Sequence, residues 1–266
     1  MSVPAAAAGP ATAVSLRDIP VAALTMEQAL DRVDEAIASG SRLRIGVVNA
    51  AKIVSMTRDR LLREDVLSSD LILADGASVV WAARLLGHPL PERVAGIDLM
   101  LEMLRAGAAR GYRVYCLGAT LDVLQRAVDR VLSDFPGVRV VGHRDGYFGA
   151  EDEEAVAQAV SAAQPDILLV AMTSPKKERF LGRWSPHMQV PVCHGVGGSF
   201  DVLAGKVHRA PLAWQRLGLE WLYRVCQEPR RLWRRYLFTN AAFCAMVSSE
   251  WLGSLWNRAI APGRRR

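Results

Sequence analysis

The sequence predicts an α/β fold of the Rossmann-like kind, a mainly parallel sheet sandwiched by helices, followed by a basic helical appendage. Three observations lead there. Short apolar runs such as Leu43–Val48, Leu71-Ile72-Leu73, Val114-Tyr115-Cys116-Leu117 and residues 166–172 recur between longer segments with apolar residues at helical spacing. The runs are near-continuous instead of alternating, as in strands covered on both faces. After Gly205 the composition shifts to helices rich in Arg and Trp.

At 266 residues, 51% hydrophobic and 23% charged, the chain has the make-up of a globular protein large enough for one sizeable core. Residues 1–15 are dominated by Ala and Pro and lack the basic start and long apolar run of a signal peptide, so they read as a disordered tail. Residues 16–205 form the expected α/β catalytic domain and residues 206–266 the appendage. Cys116, Cys193, Cys226 and Cys244 are far apart and make no C-x-x-C pair, which argues against a zinc site or disulfide framework and fits the cytoplasm.

Residues 19–24 read as a strand. Thr25 and Gln28 have the spacing of a capping box, and Ala29, Leu30, Val33 and Ile37 continue it as a helical stripe. Leu43–Val48 is a strand ending at Asn49, with a helix from Ala50. Leu71-Ile72-Leu73 leads to Asp75-Gly76, then to helices over 79–86 and 97–109. Strand 114–117 turns at Gly118-Ala119-Thr120 into helix 121–132. Strand 138–141, helix 151–163, strand 166–172, helix 176–184 and the loop Gly195-Val196-Gly197-Gly198 complete the alternation.

In a parallel sheet, ligands bind beyond the carboxyl ends of the strands. Asn49, Asp75, Gly118, the Thr173-Ser174-Pro175 segment and the Gly195–Gly198 loop therefore belong to one expected cleft. A carboxylate at a strand tip can serve as a base, although Asp-Gly is also ordinary turn chemistry. Gly118 and Thr120 could offer backbone N–H groups to a phosphate. The Gly195–Gly198 loop lacks both the third glycine of a dinucleotide fingerprint and the Lys of a P-loop. There is no D-x-D and no His/Glu ligand cluster, so no metal and no cofactor is expected. Arginine is the alternative clamp for phosphate oxygens.

Charge is concentrated in the appendage. Residues 206–235 carry eight Lys and Arg against Glu220 and Glu228, an excess equal to the whole chain's net charge of +6. Five of the seven Trp residues (Trp214, Trp221, Trp233, Trp251, Trp256) lie in the appendage. The uncharged run 236–249 is only 14 residues, short of the roughly 18–20 that a spanning helix needs. Interleaved Trp and Arg on apolar helices suit a membrane interface. The same features could describe a helical pair packed on the sheet with a solvated basic face, or a nucleic-acid-binding module. A nucleotide-dependent enzyme with a soluble substrate is a further alternative.

Ordered motifs carry a family resemblance. Asn49-Ala50-Ala51-Lys52, Ala74-Asp75-Gly76, Glu92 through Leu99, Ser174-Pro175-Lys176-Lys177-Glu178, Gly195 through Asp201 and Arg209-Ala210-Pro211 occur in sequence. Leu219 through Arg224 and Glu228 through Leu232 follow. Together they resemble the WecG/TagA/CpsF glycosyltransferases over about residues 21–237. The resemblance implies inverting, metal-independent transfer of a hexose, typically N-acetylmannosamine, from a UDP-sugar to a sugar on undecaprenyl diphosphate. It implies Asp75 as general base and Asn49 and Arg93 in the substrate site. It also implies Arg224, Arg231 and Arg234 as a lipid-diphosphate clamp on the inner leaflet of the membrane, for an enzyme peripherally attached to the cytoplasmic side. Asp98, Gly118, Thr120, Pro175, Lys177, Glu178, Gly195, Gly197 and Gly198 complete the expected substrate pocket. No nucleic acid is expected as partner, and a homo-oligomer stays open. Two residues depart from the family pattern: Val47 stands where Thr is usual, and Lys177 where Gln is. An exopolysaccharide enzyme using another UDP-hexose fits such changes.

Overall fold

The computed structural model describes residues 13–260. An antiparallel hairpin comes first, β1 (Ala13–Leu16) against β2 (Ile19–Ala22), turning at Arg17 and Asp18. The expected tail therefore ends sooner than residue 15. Leu16, Ile19 and Val21 bury themselves in the core, which is what draws this end of the chain into the fold.

Helix α1 (Met26–Ser39) begins at the expected capping box, with both reciprocal bonds of Thr25 and Gln28 present, and ends at left-handed Gly40. Six strands then alternate with helices: β3 (Leu43–Val48), α2 (Ala50–Met56), α3 (Arg60–Leu67), β4 (Leu71–Ala74), α4 (Ala77–Leu85), α5 (Gly96–Arg110), β5 (Arg113–Gly118), α6 (Leu121–Asp134), β6 (Arg139–Arg144), α7 (Glu153–Ala162), β7 (Ile167–Ala171), α8 (Lys176–Met188) and β8 (Val192–Gly195). They form one sheet in the order β4-β3-β8-β7-β5-β6, and every described pairing in it is parallel.

Period-two alternation assigns the two faces. Ile167, Leu169 and Ala171 of β7 face a core built with α1, α5 and α6, while Leu168 and Val170 face one built with α7 and α8. On the β3–β4 side, Val48, Ile72 and Ala74 meet α2, α3 and α4. Both faces are covered, so the strands read as unbroken apolar runs.

Beyond β8 the chain forms α9 (Ser199–Leu203), α10 (Leu212–Arg216), α11 (Glu220–Gln227) and α12 (Pro229–Ile260). The helical stretch from Leu212 is divided into α10 and α11, with left-handed Gly218 in the break; a Cβ there would lie 2.8 Å from the Trp81 ring of α4. Trp221 and Tyr236, 5.9 Å between ring centroids, join α11 to α12. Phe243 and Val247 of α12 are buried in the same core as α2. This segment is thus partly built into the α/β body, while Trp233, Leu237 and Phe238 of its first half, and Leu252 and Trp256 further on, are exposed. Among the described residues no helix is long and apolar enough to cross a membrane.

Candidate active site

The carboxyl ends of β4, β3 and β8 lie side by side and bring Asp75, Asn49 and the Gly195–Gly198 loop to one edge. Gly76, with no side-chain hydrogen bond, occupies the N-cap position of α4, so Asp75 is not that helix's cap. Its backbone N–H continues the β-ladder to Val48 O at 2.9 Å. The carboxylate instead reaches across to the start of α5, where Oδ1 accepts from Gly96 N at 2.9 Å. Oδ2 receives a longer contact, 3.4 Å, from Asn49 Nδ2. Asn49 is itself fixed, because its Oδ1 caps α2 by accepting from Lys52 N at 3.0 Å. Two strands and two helix starts therefore orient one half-buried carboxylate, and Oδ2 is its freer oxygen.

Gly96 is held from its other side by His194, a fully buried residue of β8 whose Nε2 lies 3.0 Å from Gly96 O. A carbonyl oxygen can only accept, so Nε2 carries the hydrogen. Burial lowers the imidazole's proton affinity, which keeps the ring neutral. Sequence reasoning missed His194, whose partner is 98 residues away in the chain.

Beneath Asn49 and Gly195 sits a buried charge triad. Lys52 Nζ and Lys177 Nζ both approach Glu178 Oε1, at 2.8 and 2.9 Å, with all three side chains less than a tenth exposed. Burial alone would raise the Glu178 carboxyl, but the two ammonium groups outweigh it and hold it at about 2. Burial pushes Lys52 down to about 8; the charge of Lys177 adds to that shift and Glu178 opposes it. Glu178, expected in the substrate pocket, is enclosed between the two lysines.

A second cluster joins the body to the later helices. Arg209 grips Asp98 with both terminal nitrogens, Nη1 to Oδ1 at 2.6 Å and Nη2 to Oδ2 at 2.7 Å. Arg93 Nη2 approaches the same Oδ2 at 3.5 Å, and Arg93 Nη1 donates to Glu220 of α11. Arg93 and Asp98, both expected in the substrate site, are thus each ion-paired. Arg209 lay within a recognised motif, yet its place beside Asp98 depends on a contact 111 residues long.

Gly118 and Thr120 stand at the end of β5, separated from β8 by β7. Gly118 has φ +127°, and a Cβ there would fall 2.4 Å from Ala171 O, so close strand packing already requires glycine. Thr120 precedes α6 without a side-chain capping bond. Pro175 follows a cis peptide bond at the start of α8. Arg224 and Arg234 are exposed, the latter 5.3 Å over the Trp233 ring; the side chain of Arg231 lies outside the described residues. No group of three or more His, Cys, Asp or Glu among the described residues is placed to hold a metal ion.

A fixed strand-tip carboxylate at the carboxyl edge of a parallel sheet is compatible with group transfer to a hydroxyl. The model of the WecG/TagA/CpsF glycosyl transferase family matches residues 14–256. This chain belongs to that family. It is 42% identical over 188 residues to an N-acetylglucosaminyldiphosphoundecaprenol N-acetyl-beta-D-mannosaminyltransferase of Bacillus spizizenii, covering 70% of this chain and 72% of that one. A protein of the same description from Bacillus subtilis is 36% identical over 193 residues, covering 73% and 74%. The expected glycosyltransferase assignment is therefore met, and the described edge is its candidate active site.

Proposed function

We propose that this glycosyltransferase moves a hexose from a UDP-sugar to a sugar carried on a polyprenyl diphosphate, with inversion and without a metal ion. The carrying observation is the Asp75 carboxylate, held by Gly96 N–H and Asn49 with Oδ2 the freer oxygen. The names of the relatives add the substrate class: both act on an undecaprenyl-diphosphate-linked sugar and transfer N-acetylmannosamine.

In this reading Asp75 takes the proton of an acceptor hydroxyl. The hydroxyl oxygen forms the new bond to the anomeric carbon while that carbon's bond to the β-phosphate oxygen breaks, and the electron pair leaves with UDP. Attack from the face opposite UDP inverts the centre. Fixed positive charge near the departing diphosphate lowers the barrier. Lys177 is assigned to the donor side with Pro175, Gly195, Gly197 and Gly198; Glu178 belongs there through the lysines it joins, and Gly118 and Thr120 lie at its margin. Asn49, Arg93 and Asp98 border the acceptor. Arg224, Arg231 and Arg234 meet the lipid diphosphate.

Membrane attachment belongs to the same reading. Exposed Trp233, Leu237 and Phe238 lie beside exposed Arg234 and Arg235 on the first half of α12, which fits an anionic leaflet. In the direct test, UDP release is measured from UDP-N-acetylmannosamine and other UDP-hexoses, with and without a short-chain lipid-diphosphate-linked N-acetylglucosamine. Acceptor-dependent release with at least one donor supports the reading; release with none of them overturns it.

A further inference from the structure

The buried triad carries two ammonium groups on one carboxylate. Lys52 and Lys177 share Oε1 of Glu178, and Glu178 Oε2 has no hydrogen-bond partner. The triad therefore holds one positive charge beyond what its carboxylate neutralises. An unbalanced charge under a tenth exposed is expensive, and it is tolerated where a counter-charge arrives from elsewhere. Among the described residues no second carboxylate forms an ion pair with either lysine: Asp75 acts on Lys52 without pairing with it, Asp65 lines the same pocket unpaired with the lysines, and Asp201 pairs with Lys206 at 3.3 Å.

The two lysines differ in outlook. Lys52 rises from α2, whose first turn is locked by Asn49. The Lys177 stem runs under Gly195, where a Cβ would lie 3.1 Å from its Cε. Its ammonium then ends beside Gly197. A Cβ built on Gly197, at φ +56°, would find Lys177 Nζ at 4.0 Å and no closer heavy atom beyond its own chain neighbours. Gly197 thus leaves open space next to the nitrogen, on the strand-end loop that faces the cleft.

We propose that Lys177 is the anion-reading residue of the donor pocket, its ammonium binding a negatively charged oxygen group of the nucleotide-sugar. Two parts of such a donor share that chemistry, the diphosphate and a carboxylate on the transferred sugar. The inference rests on the donor assignment above and adds which group Lys177 recognises. Lys52 keeps Glu178 ionised and so positions Lys177, and it need not touch the ligand.

The test is calorimetric binding of uridine, UDP, UDP-glucose and UDP-glucuronate to the full chain, comparing wild type with Lys177→Gln, Lys177→Met and Lys177→Arg at matched thermal stability. The neutral variants should lose about tenfold or more in affinity, with partial retention by Lys177→Arg. Equal losses for UDP and both UDP-sugars assign the diphosphate; a loss confined to UDP-glucuronate assigns a sugar carboxylate, and either supports the inference. Unchanged affinity of the neutral variants for all four ligands overturns it while leaving the donor class standing. Wild type that binds none of them overturns the donor reading and the inference together. Should the neutral variants unfold, lysine Cε NMR of the wild type decides: the Lys177 resonance should shift with UDP or UDP-glucuronate, and a resonance unmoved at saturation refutes the inference.

Discussion

The Arg93 guanidinium donates to the Glu220 carboxylate, tying the segment before α5 to the first turn of α11 across 127 residues. Arg93 is assigned to the acceptor side, so an incoming anion meets a guanidinium already holding an internal carboxylate. Glu220→Gln should release Arg93 from one of its two carboxylates, leaving the longer contact to Asp98, at a modest stability cost of about 1 kcal/mol or less because the Arg209–Asp98 pair remains. Binding of inorganic pyrophosphate should strengthen in Glu220→Gln and weaken in Arg93→Ala, as read by calorimetry. Weaker binding in Glu220→Gln would mean that the carboxylate orients Arg93 instead of competing for it.

The triad makes a stability prediction. Removing the Glu178 charge by Glu178→Gln leaves Lys52 and Lys177 buried and facing each other, which should cost about 3–5 kcal/mol in denaturant unfolding. Lys52→Met removes one desolvated ammonium and leaves a one-to-one pair, so its cost should be smaller. A larger loss for Lys52→Met would contradict the reading that two ammonium groups are in excess over one carboxylate.

The same groups set a pH dependence. Glu178 is held at about 2, below its ordinary 4.5, so its contribution is complete above about pH 4.5 and is lost as pH falls toward 2. The shift corresponds to a loss on the order of 3 kcal/mol. Lys52 lies at about 8 against an ordinary 10.5, so the unfolded chain binds its proton more tightly and this group's contribution rises with pH between those values. In Glu178→Gln, the acid-side loss of stability measured by urea unfolding should shrink; an unchanged acid limb would assign it to other carboxylates.

The exposed side chains on the first half of α12 give a surface prediction. Trp233→Ala with Phe238→Ala should reduce co-flotation with anionic vesicles without lowering thermal stability, since both side chains are exposed. Arg234→Ala with Arg235→Ala should weaken vesicle binding by on the order of 1 kcal/mol per residue, an effect that salt reduces in the parent chain. Undiminished flotation in both double variants would remove this face from the proposed membrane contact.

Local pattern carried the sheet. The run at β7 is buried on both faces, and the capping box at Thr25 needs only residues three apart, so both could be read from neighbours in sequence. Helix α8 was harder: it continues through Pro186 to Met188, four residues past the expected end at Trp184, because burial of Met188 overrides the proline signal. At the edge, Asn49, Asp75 and the glycine loop could be placed because each ends an apolar run. Their partners could not. His194, Lys52 and Arg209 acquire meaning only from the strand order, which sets β8 beside β3 and brings α5 and α8 to the same edge. The Arg93–Glu220 and Lys52–Glu178 pairs were out of reach for the same reason, since each spans more than 120 residues.

The central proposal is that Asp75 accepts the acceptor's proton. Asp75→Asn preserves size and can still accept from Gly96 N–H, so fold and UDP affinity should stay near those of the parent chain. Single-turnover transfer from the best UDP-hexose to a lipid-diphosphate-linked acceptor measures the step itself. The account predicts a fall of about 100-fold or more in that rate at unchanged UDP affinity. Transfer within a few-fold of the parent rate would contradict it and leave Asp75 as only a cap on α5.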